Sequence, residues 1–255
     1  MARKNKMVTT LKNRVPTGID GFDELCEGGL VRDRTYLLSG TSGAGKTVFS
    51  LQFLYNGIKD FNECGIFVAT EERPKQIREN AFTFGWDLKA LEDEGKLAII
   101  DATSTKLNLK SREKYVDVRP FDMKFMIDQI ISIQGEINAK RAIVDSSTSI
   151  GLYIQDVSKL RIELLKLSIT LEILGMTSLI TCEVLDESNP NRFGIENFVT
   201  DGVIAMYFKR MENERVHSLE IYKMRGSAHS KRMSPYDITT EGIVVHPHDE
   251  LYSGF

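Results

Sequence analysis

The chain has 255 residues, 42% hydrophobic and 27% charged, with 33 basic against 36 acidic side chains and a formal net charge of -3. That balance suits one large α/β domain with a substantial core and gives no overall electrostatic pull toward nucleic acid. The scattered Cys26, Cys64 and Cys182 form no Cys-x-x-Cys pair, the four histidines have no zinc spacing, no signal peptide is visible, and no apolar run nears the ~20 residues of a membrane span, so a cytoplasmic protein with reduced thiols is expected.

The chain opens with a short basic run, Arg3-Lys4-Asn5-Lys6, expected as part of a flexible tail over residues 1–13. Thr17 to Leu25, followed by Gly28-Gly29, reads as a short helix closed by glycines. Thr35 to Ser39 is an apolar run with the character of a buried strand. Val48 to Tyr55 has the 3.6-residue apolar period of a helix. Gly65 to Thr70 is a second strand, ending on Glu71-Glu72, and a helix follows from Pro74 to about Phe84. Leu97 to Asp101 is a third strand. Residues 103–118 are polar and charged and read as a surface excursion. Phe121 to Ile137 is mostly helix-spaced, Arg141 to Ser147 is a fourth strand carrying an acid, a long helix spans about Val157 to Leu174, and Thr177 to Thr181 is a fifth strand.

Strand and helix in alternation imply a mostly parallel sheet flanked by helices on both faces. The last quarter differs. Gly202 to Arg210, Arg215 to Arg225 and Tyr236 to Val245 read as strands joined by short turns, Glu212-Asn213-Glu214 among them, hence as a C-terminal antiparallel β extension at the sheet edge. One domain is expected over 14–247, with a tail at 248–255.

Between the first strand and its helix lies Gly40-Thr41-Ser42-Gly43-Ala44-Gly45-Lys46-Thr47, a full G-x-x-x-x-G-K-[ST] phosphate loop in the context it requires. Its glycines let consecutive backbone N–H groups face a polyphosphate, and the helix N-terminus adds partial positive charge. Lys46 is placed to reach the β- and γ-phosphates, and the Thr47 hydroxyl to ligate Mg²⁺. Ligands of an open α/β sheet bind at the carboxyl ends of its strands. Asp145 ends the apolar Ile143-Val144 strand and is the second candidate for Mg²⁺. Glu71 and Glu72 are candidates for activating an attacking water. Their plainer reading is a solvated acidic pair opening the helix at Pro74. Two adjacent carboxylates repel, so one of them is expected to titrate high.

Several separated strings resemble the KaiC branch of the RecA superfamily: Thr41 to Thr47, Phe67-Val68-Ala69-Thr70-Glu71-Glu72, Phe84-Gly85-Trp86-Asp87-Leu88, Val144-Asp145-Ser146, and Lys223-Met224-Arg225-Gly226-Ser227-Ala228-His229. They occur in the family's order and span about Arg14 to Pro247. The pattern is closer to the N-terminal ATPase half of the tandem clock proteins than to the second half. The resemblance implies a RecA-like P-loop NTPase core that binds ATP or ADP with Mg²⁺ between the subunits of a homohexameric ring. Thr41, Ser42, Gly43, Ala44, Gly45, Lys46, Thr47 and Val48 would then wrap the phosphates, and Thr83 matches a family position near the nucleotide. Lys223, Met224 and Arg225 would cross to the neighbour's γ-phosphate, with Ser227 and His229 near its ribose and base. A cation delivered in trans would stabilise transition-state charge as an arginine finger does. Read without the resemblance, Lys223 and Arg225 are ordinary solvated charges on a strand.

The chain departs from the pattern twice. Asn197-Phe198 stands where the second clock domain carries its autophosphorylated Ser-Thr pair, so no autokinase activity is expected there, a point that phosphopeptide mapping of 195–201 checks. Thr240 replaces an acid that the family places near the nucleotide.

The expected function is a slow Mg²⁺-dependent ATPase that serves as an oligomeric switch for a protein partner. The competing readings are a nucleotide-sensing scaffold with negligible hydrolysis, a DNA-dependent recombinase or translocase, and a small-molecule kinase. Cys182 to Arg192 is net acidic, so nucleic acid is not expected as a partner. A kinase would need a lid, for which only residues 103–118 offer themselves.

Overall fold

The computed structural model describes residues 13–119, 122–185, 189–211 and 213–250. The basic run at Arg3 to Lys6, the expected helix start at Phe121, Asp186 to Ser188 of the acidic loop, Glu212 of the expected turn and residues 251–255 lie outside the described part.

The strands are β1 (Arg14–Val15), β2 (Leu30–Val31), β3 (Thr35–Gly40), β4 (Gly65–Ala69), β5 (Leu97–Asp101), β6 (Tyr115–Val116), β7 (Arg141–Asp145), β8 (Thr177–Glu183), β9 (Gly202–Met211), β10 (Glu214–Met224), β11 (Ser234–Thr239) and β12 (Gly242–Val245). The helices are α1 (Phe22–Leu25), α2 (Lys46–Phe61), α3 (Pro74–Phe82), α4 (Leu88–Asp93), α5 (Met123–Ile137), α6 (Ser147–Ile154), α7 (Val157–Ile173) and α8 (Glu196–Val199), with a 3₁₀ turn at Thr105–Leu107. Ten strands form one sheet in the order β12-β11-β10-β9-β3-β8-β7-β4-β5-β6. From β9 to β6 all neighbours are parallel, and β10, β11 and β12 join antiparallel.

The central strands are buried on both faces, which is why they read as continuous apolar runs rather than alternating ones. Alternate residues feed two cores. Tyr36, Leu38, Phe67, Ile143 and Leu179 pack on α2, α3 and α4 through Phe49, Phe53, Ile77 and Leu91. Ile66, Val68, Val144 and Ile180 pack on α5, α6 and α7 through Met126, Ile130, Ile150 and Leu164. Each fully buried Leu, Ile or Phe among them contributes roughly 1.5–3 kcal/mol.

One charge sits deep in this apolar setting. Arg141 opens β7 with a fully buried side chain. Its guanidinium donates to Glu63 Oε2, Phe53 O and Pro16 O, each at 2.8 Å, and lies over the Phe53 ring. Gly57 makes room for it, since any side chain there would collide with the guanidinium.

Four sequence expectations change. The helix expected over Thr17–Leu25 is one turn, because Asp23 caps the Thr17 amide at 3.0 Å and holds the preceding chain in a loop. The fourth strand stops at Asp145, where Ser146 becomes the N-cap of α6 by accepting from Ser149 N at 3.3 Å. Residues 103–118 are not simply surface: Thr103, Ser104 and Asp117 are buried, and β6 pairs with β5. Tyr236 to Val245 is a hairpin of two strands turning at Thr240-Glu241, and the extension as a whole starts with β9, which is parallel to β3.

Candidate functional site

The phosphate loop joins β3 to α2. Gly45 is the N-cap of α2 with φ 76°, in the left-handed region that glycine enters without a Cβ penalty. The amides at the start of α2 have no intrahelical carbonyl to bind and point at the cleft. Lys46 curls back so that Nζ donates to Gly40 O and Thr41 O, both at 2.9 Å. Burial pushes its ammonium below the ordinary lysine value, while the charges of Glu183, Asp145 and Glu71 act the other way.

β7 lies two strands from β3 in the sheet and delivers Asp145 to the same end. The Thr47 hydroxyl donates to Asp145 Oδ2 at 3.0 Å, and the Thr181 hydroxyl donates to Oδ1 at 2.5 Å. Burial pushes the Asp145 carboxyl above the ordinary aspartate value, and the Thr181 bond opposes that. The end of β4 is fastened to the end of β7: Thr70 N and Thr70 Oγ1 both donate to Asp145 O at 2.8 Å, and Ser146 N donates to Thr70 Oγ1 at 2.7 Å. The Asp145–Ser146 peptide is cis.

Glu71 and Glu72 follow directly. Glu71 Oε1 accepts a short hydrogen bond from the Ser146 hydroxyl and a longer one, 3.4 Å, from the Ser149 hydroxyl. Glu72 accepts from Asn80 Nδ2 at 3.1 Å. Partial burial, then the charges of Asp145 and Glu71, push the Glu72 carboxyl above the ordinary glutamate value.

Ser42, Gly43, Gly45, Lys46, Thr47, Val48, Glu71, Glu72, Asp145, Ser146 and Glu183 line one cleft of about 250 Å³. Thr41 contributes its carbonyl to Lys46, and Ala44 is buried behind the loop. A larger cleft of about 490 Å³, between α3, α4 and residues 112–115, is lined by paired charges such as Arg78 with Glu92 and Glu113. None of the predicted site residues lines it.

The remaining predicted residues stand elsewhere. Thr83 caps the C-terminus of α3, its hydroxyl donating to Asn80 O at 2.7 Å. Met224 pairs with Gly202, and Gly202 lies beside Tyr36, at the opposite end of β3 from Gly40. Four residues of strand separate those ends, roughly 13 Å. Lys223, Arg225, Ser227 and His229 go with that far end. Lys223 Nζ donates to Asn197 O at 2.6 Å and Thr200 O at 2.8 Å, Ser227 accepts from Arg14 at 2.5 Å, and His229 Nδ1 lies 2.8 Å from Ser230 O.

Sequence reasoning passes over Glu183, Thr181, Ser146 and Ser149. Glu183 was the readable one, because an acid at the carboxyl end of a parallel strand is the signal that marks Asp145. The three hydroxyls carry no such signal, since buried serines and threonines more often satisfy backbone groups.

The cleft suits a hard divalent cation held mostly by water and phosphate oxygens. Thr47 and Asp145 offer two oxygen donors side by side, the ligand count Mg²⁺ takes from protein in phosphate sites. Thr47, by donating its proton to Asp145, leaves lone pairs for a metal.

A family model for the KaiC ATPase matches residues 15–250. The UPF0273 protein MJ1359 of Methanocaldococcus jannaschii is 43% identical over 236 residues, 92% of this chain and 96% of that protein. The circadian clock oscillator protein KaiC of Synechococcus elongatus is 42% identical over 235 residues, 92% of this chain but 44% of the clock protein, so the chain spans less than half of that relative. The crystal structure of the KaiC-like protein PH0186 from Pyrococcus horikoshii superposes with a TM-score of 0.80 at 38% identity, covering 92% of this chain and 99% of that one. With a phosphate loop, a strand-end aspartate and a parallel sheet all in the family's arrangement, the chain belongs to the KaiC-like ATPases of the RecA superfamily.

Proposed function

We propose that this chain is a Mg²⁺-dependent ATPase that hydrolyses ATP slowly as a homohexameric ring, with nucleotide at subunit interfaces, and acts as a regulatory switch for a protein partner in the cytoplasm. One observation carries the proposal: the cleft gathers Lys46, Thr47, Asp145, Glu71 and Glu72, while Lys223 and Arg225 sit at the far end of the same sheet. Within one subunit the cleft offers a phosphate grip and candidate bases without Lys223 or Arg225, which supports a reading in which a neighbour supplies the second cation.

The residues take these roles. The loop amides from Gly43 to Val48 bind phosphate oxygens, and Lys46 swings from its carbonyl partners to the β- and γ-phosphates. Thr47 and Asp145 hold Mg²⁺, which supplies charge neutralisation at the phosphates. Glu71 or Glu72 accepts the proton of an in-line water. Lys223 and Arg225 of one subunit face the γ-phosphate held by the next, with Met224, Ser227 and His229 beside its sugar and base.

The hydroxyls around Glu71 support the slow rate. Glu71 Oε1 already accepts from Ser146 and Ser149, so an attacking water has to compete with those hydroxyls for that oxygen. The same contacts favour the second reading, a nucleotide-sensing scaffold with negligible turnover. The deciding experiment is phosphate release from Mg²⁺-ATP against protein concentration. A specific rate that rises steeply with concentration supports a site completed by assembly. Bound ATP with no release at any concentration selects the scaffold.

A further inference from the structure

The phosphate loop is gripped from behind by the C-terminal strands. Tyr236 of β11 is buried, and its hydroxyl donates to Ala44 O at 2.5 Å. His217 of β10 places Nε2 3.1 Å from Gly43 O. A carbonyl only accepts, so Nε2 carries the proton in this bond. The imidazole is itself fixed: it stacks on Phe208 with centroids 4.1 Å apart and an interplanar angle of 11°, and it meets the Tyr236 ring at 5.0 Å. Phe208 and Ile238 close the same face: Ile238 stands where a side chain on Gly45 would begin, and Phe208 lies 3.2 Å from the place of one on Gly43.

A loop that turns its N–H groups toward an anion must turn its carbonyls the other way, and carbonyls shut off from water need donors. Gly40 O and Thr41 O have Lys46, and Gly45 O has the amide of Phe49 in α2. Ala44 O, which is buried, has Tyr236, and Gly43 O, at an exposed position, has His217. These two carbonyls belong to the peptides between Gly43 and Gly45, both at positive φ. Rotating the Ala44–Gly45 peptide changes φ at Gly45, which accepts either sign, so stereochemistry alone does not hold that peptide; the Gly43–Ala44 peptide has glycine freedom only on its Gly43 side. A rotated peptide would point its oxygen into the cleft, where it repels phosphate.

We infer that His217 and Tyr236 are positioning residues for nucleotide binding, holding the Gly43 and Ala44 peptides with their amides toward the phosphates. This rests on the nucleotide reading above and extends it to two residues outside the cleft.

The test is the dissociation constant of the full chain for a fluorescent ADP analogue, with unlabelled ADP as competitor. Tyr236→Phe removes only the donor. His217→Phe keeps the ring stack and loses the donor, and His217→Gln restores a donor without the ring. Tyr236→Phe and His217→Phe are each expected to weaken ADP binding roughly five- to tenfold, the effect of one net hydrogen bond, with His217→Gln within about twofold of the parent. Affinities of Tyr236→Phe and His217→Phe equal to the parent's, in protein that melts as the parent does, overturn the inference while the nucleotide reading stands. A His217→Gln variant as weak as His217→Phe overturns the donor role of His217. A parent chain that binds no ADP removes the nucleotide reading and this inference with it.

Discussion

The Thr47 hydroxyl donates to the Asp145 carboxylate at 3.0 Å across 98 positions of sequence. The first turn of α2 and the end of β7 thereby share one oxygen-lined corner, next to Lys46 and opposite Glu71. Thr47→Val keeps the shape and deletes the oxygen. Phosphate release is expected to fall at least ~100-fold, with ADP binding losing most of its dependence on Mg²⁺, measured by titration with and without the ion.

Glu71→Gln combined with Glu72→Gln removes both candidate bases and leaves the phosphate loop untouched. Turnover is expected to drop by a factor of ~100 or more, the scale of general-base catalysis, with ATP affinity changed only a few-fold. Unchanged turnover in the double variant would refute the role.

Lys223 and Arg225 are assigned to the neighbour's site, which a mixing experiment examines. Co-assembled with the Glu71/Glu72 double variant, a Lys223→Ala/Arg225→Ala chain supplies an intact base where its partner supplies intact cations. Such mixed rings are expected to recover about a quarter of parental turnover, the share of interfaces that draw both halves intact. Two inactive variants that stay inactive together would place the cations elsewhere.

Gly57→Ala pushes a methyl group into the Arg141 guanidinium, whose partners Glu63, Phe53 and Pro16 hold it in place. The arginine must shift, and its buried ion pair with it. A loss of roughly 3–5 kcal/mol is expected, the penalty for breaking a buried pair, read as a lower urea midpoint at unchanged slope.

Asp101 gives the acid dependence. Burial alone would raise its carboxyl, but donors from Ser104, Ser111 and Thr103 outweigh it and hold the group below the ordinary aspartate value. A carboxyl depressed by folding contributes stability above its unfolded value, about 3.9, that is lost as pH falls through the folded one. Asp101→Asn is therefore expected to be less stable than the parent at pH 7 and to close that gap below about pH 4. Thermal melts across pH 3–7 measure it.

Much of this was readable from local pattern. The strand, loop and helix around Gly40–Thr47 form as expected because the motif, the apolar run and the 3.6-residue period all concern neighbours in sequence. Asp145 was readable because a strand of Ile143 and Val144 has to end on something polar at the sheet rim. The hairpin at Thr240-Glu241 was not, since Tyr236 to Val245 reads as one extended run and only the pairing of Thr239 with Gly242 reveals the turn. Nor was the cap at Ser146, which depends on where β4 stops beside β7.

By itself the sequence determined the phosphate loop, the acids at strand ends and the alternation that makes a parallel sheet, since each is written in contiguous residues. The tertiary structure alone decided which of them meet. Strand order sets β3, β8, β7 and β4 side by side, so Thr47, Glu183, Asp145 and Glu71 converge at one rim. The same register leaves Lys223 at the far end, and it brings His217 and Tyr236 behind a loop more than 170 residues earlier, His217 across 174 positions. Pairing between distant segments is settled by which faces bury together, and no local run of residues encodes that choice.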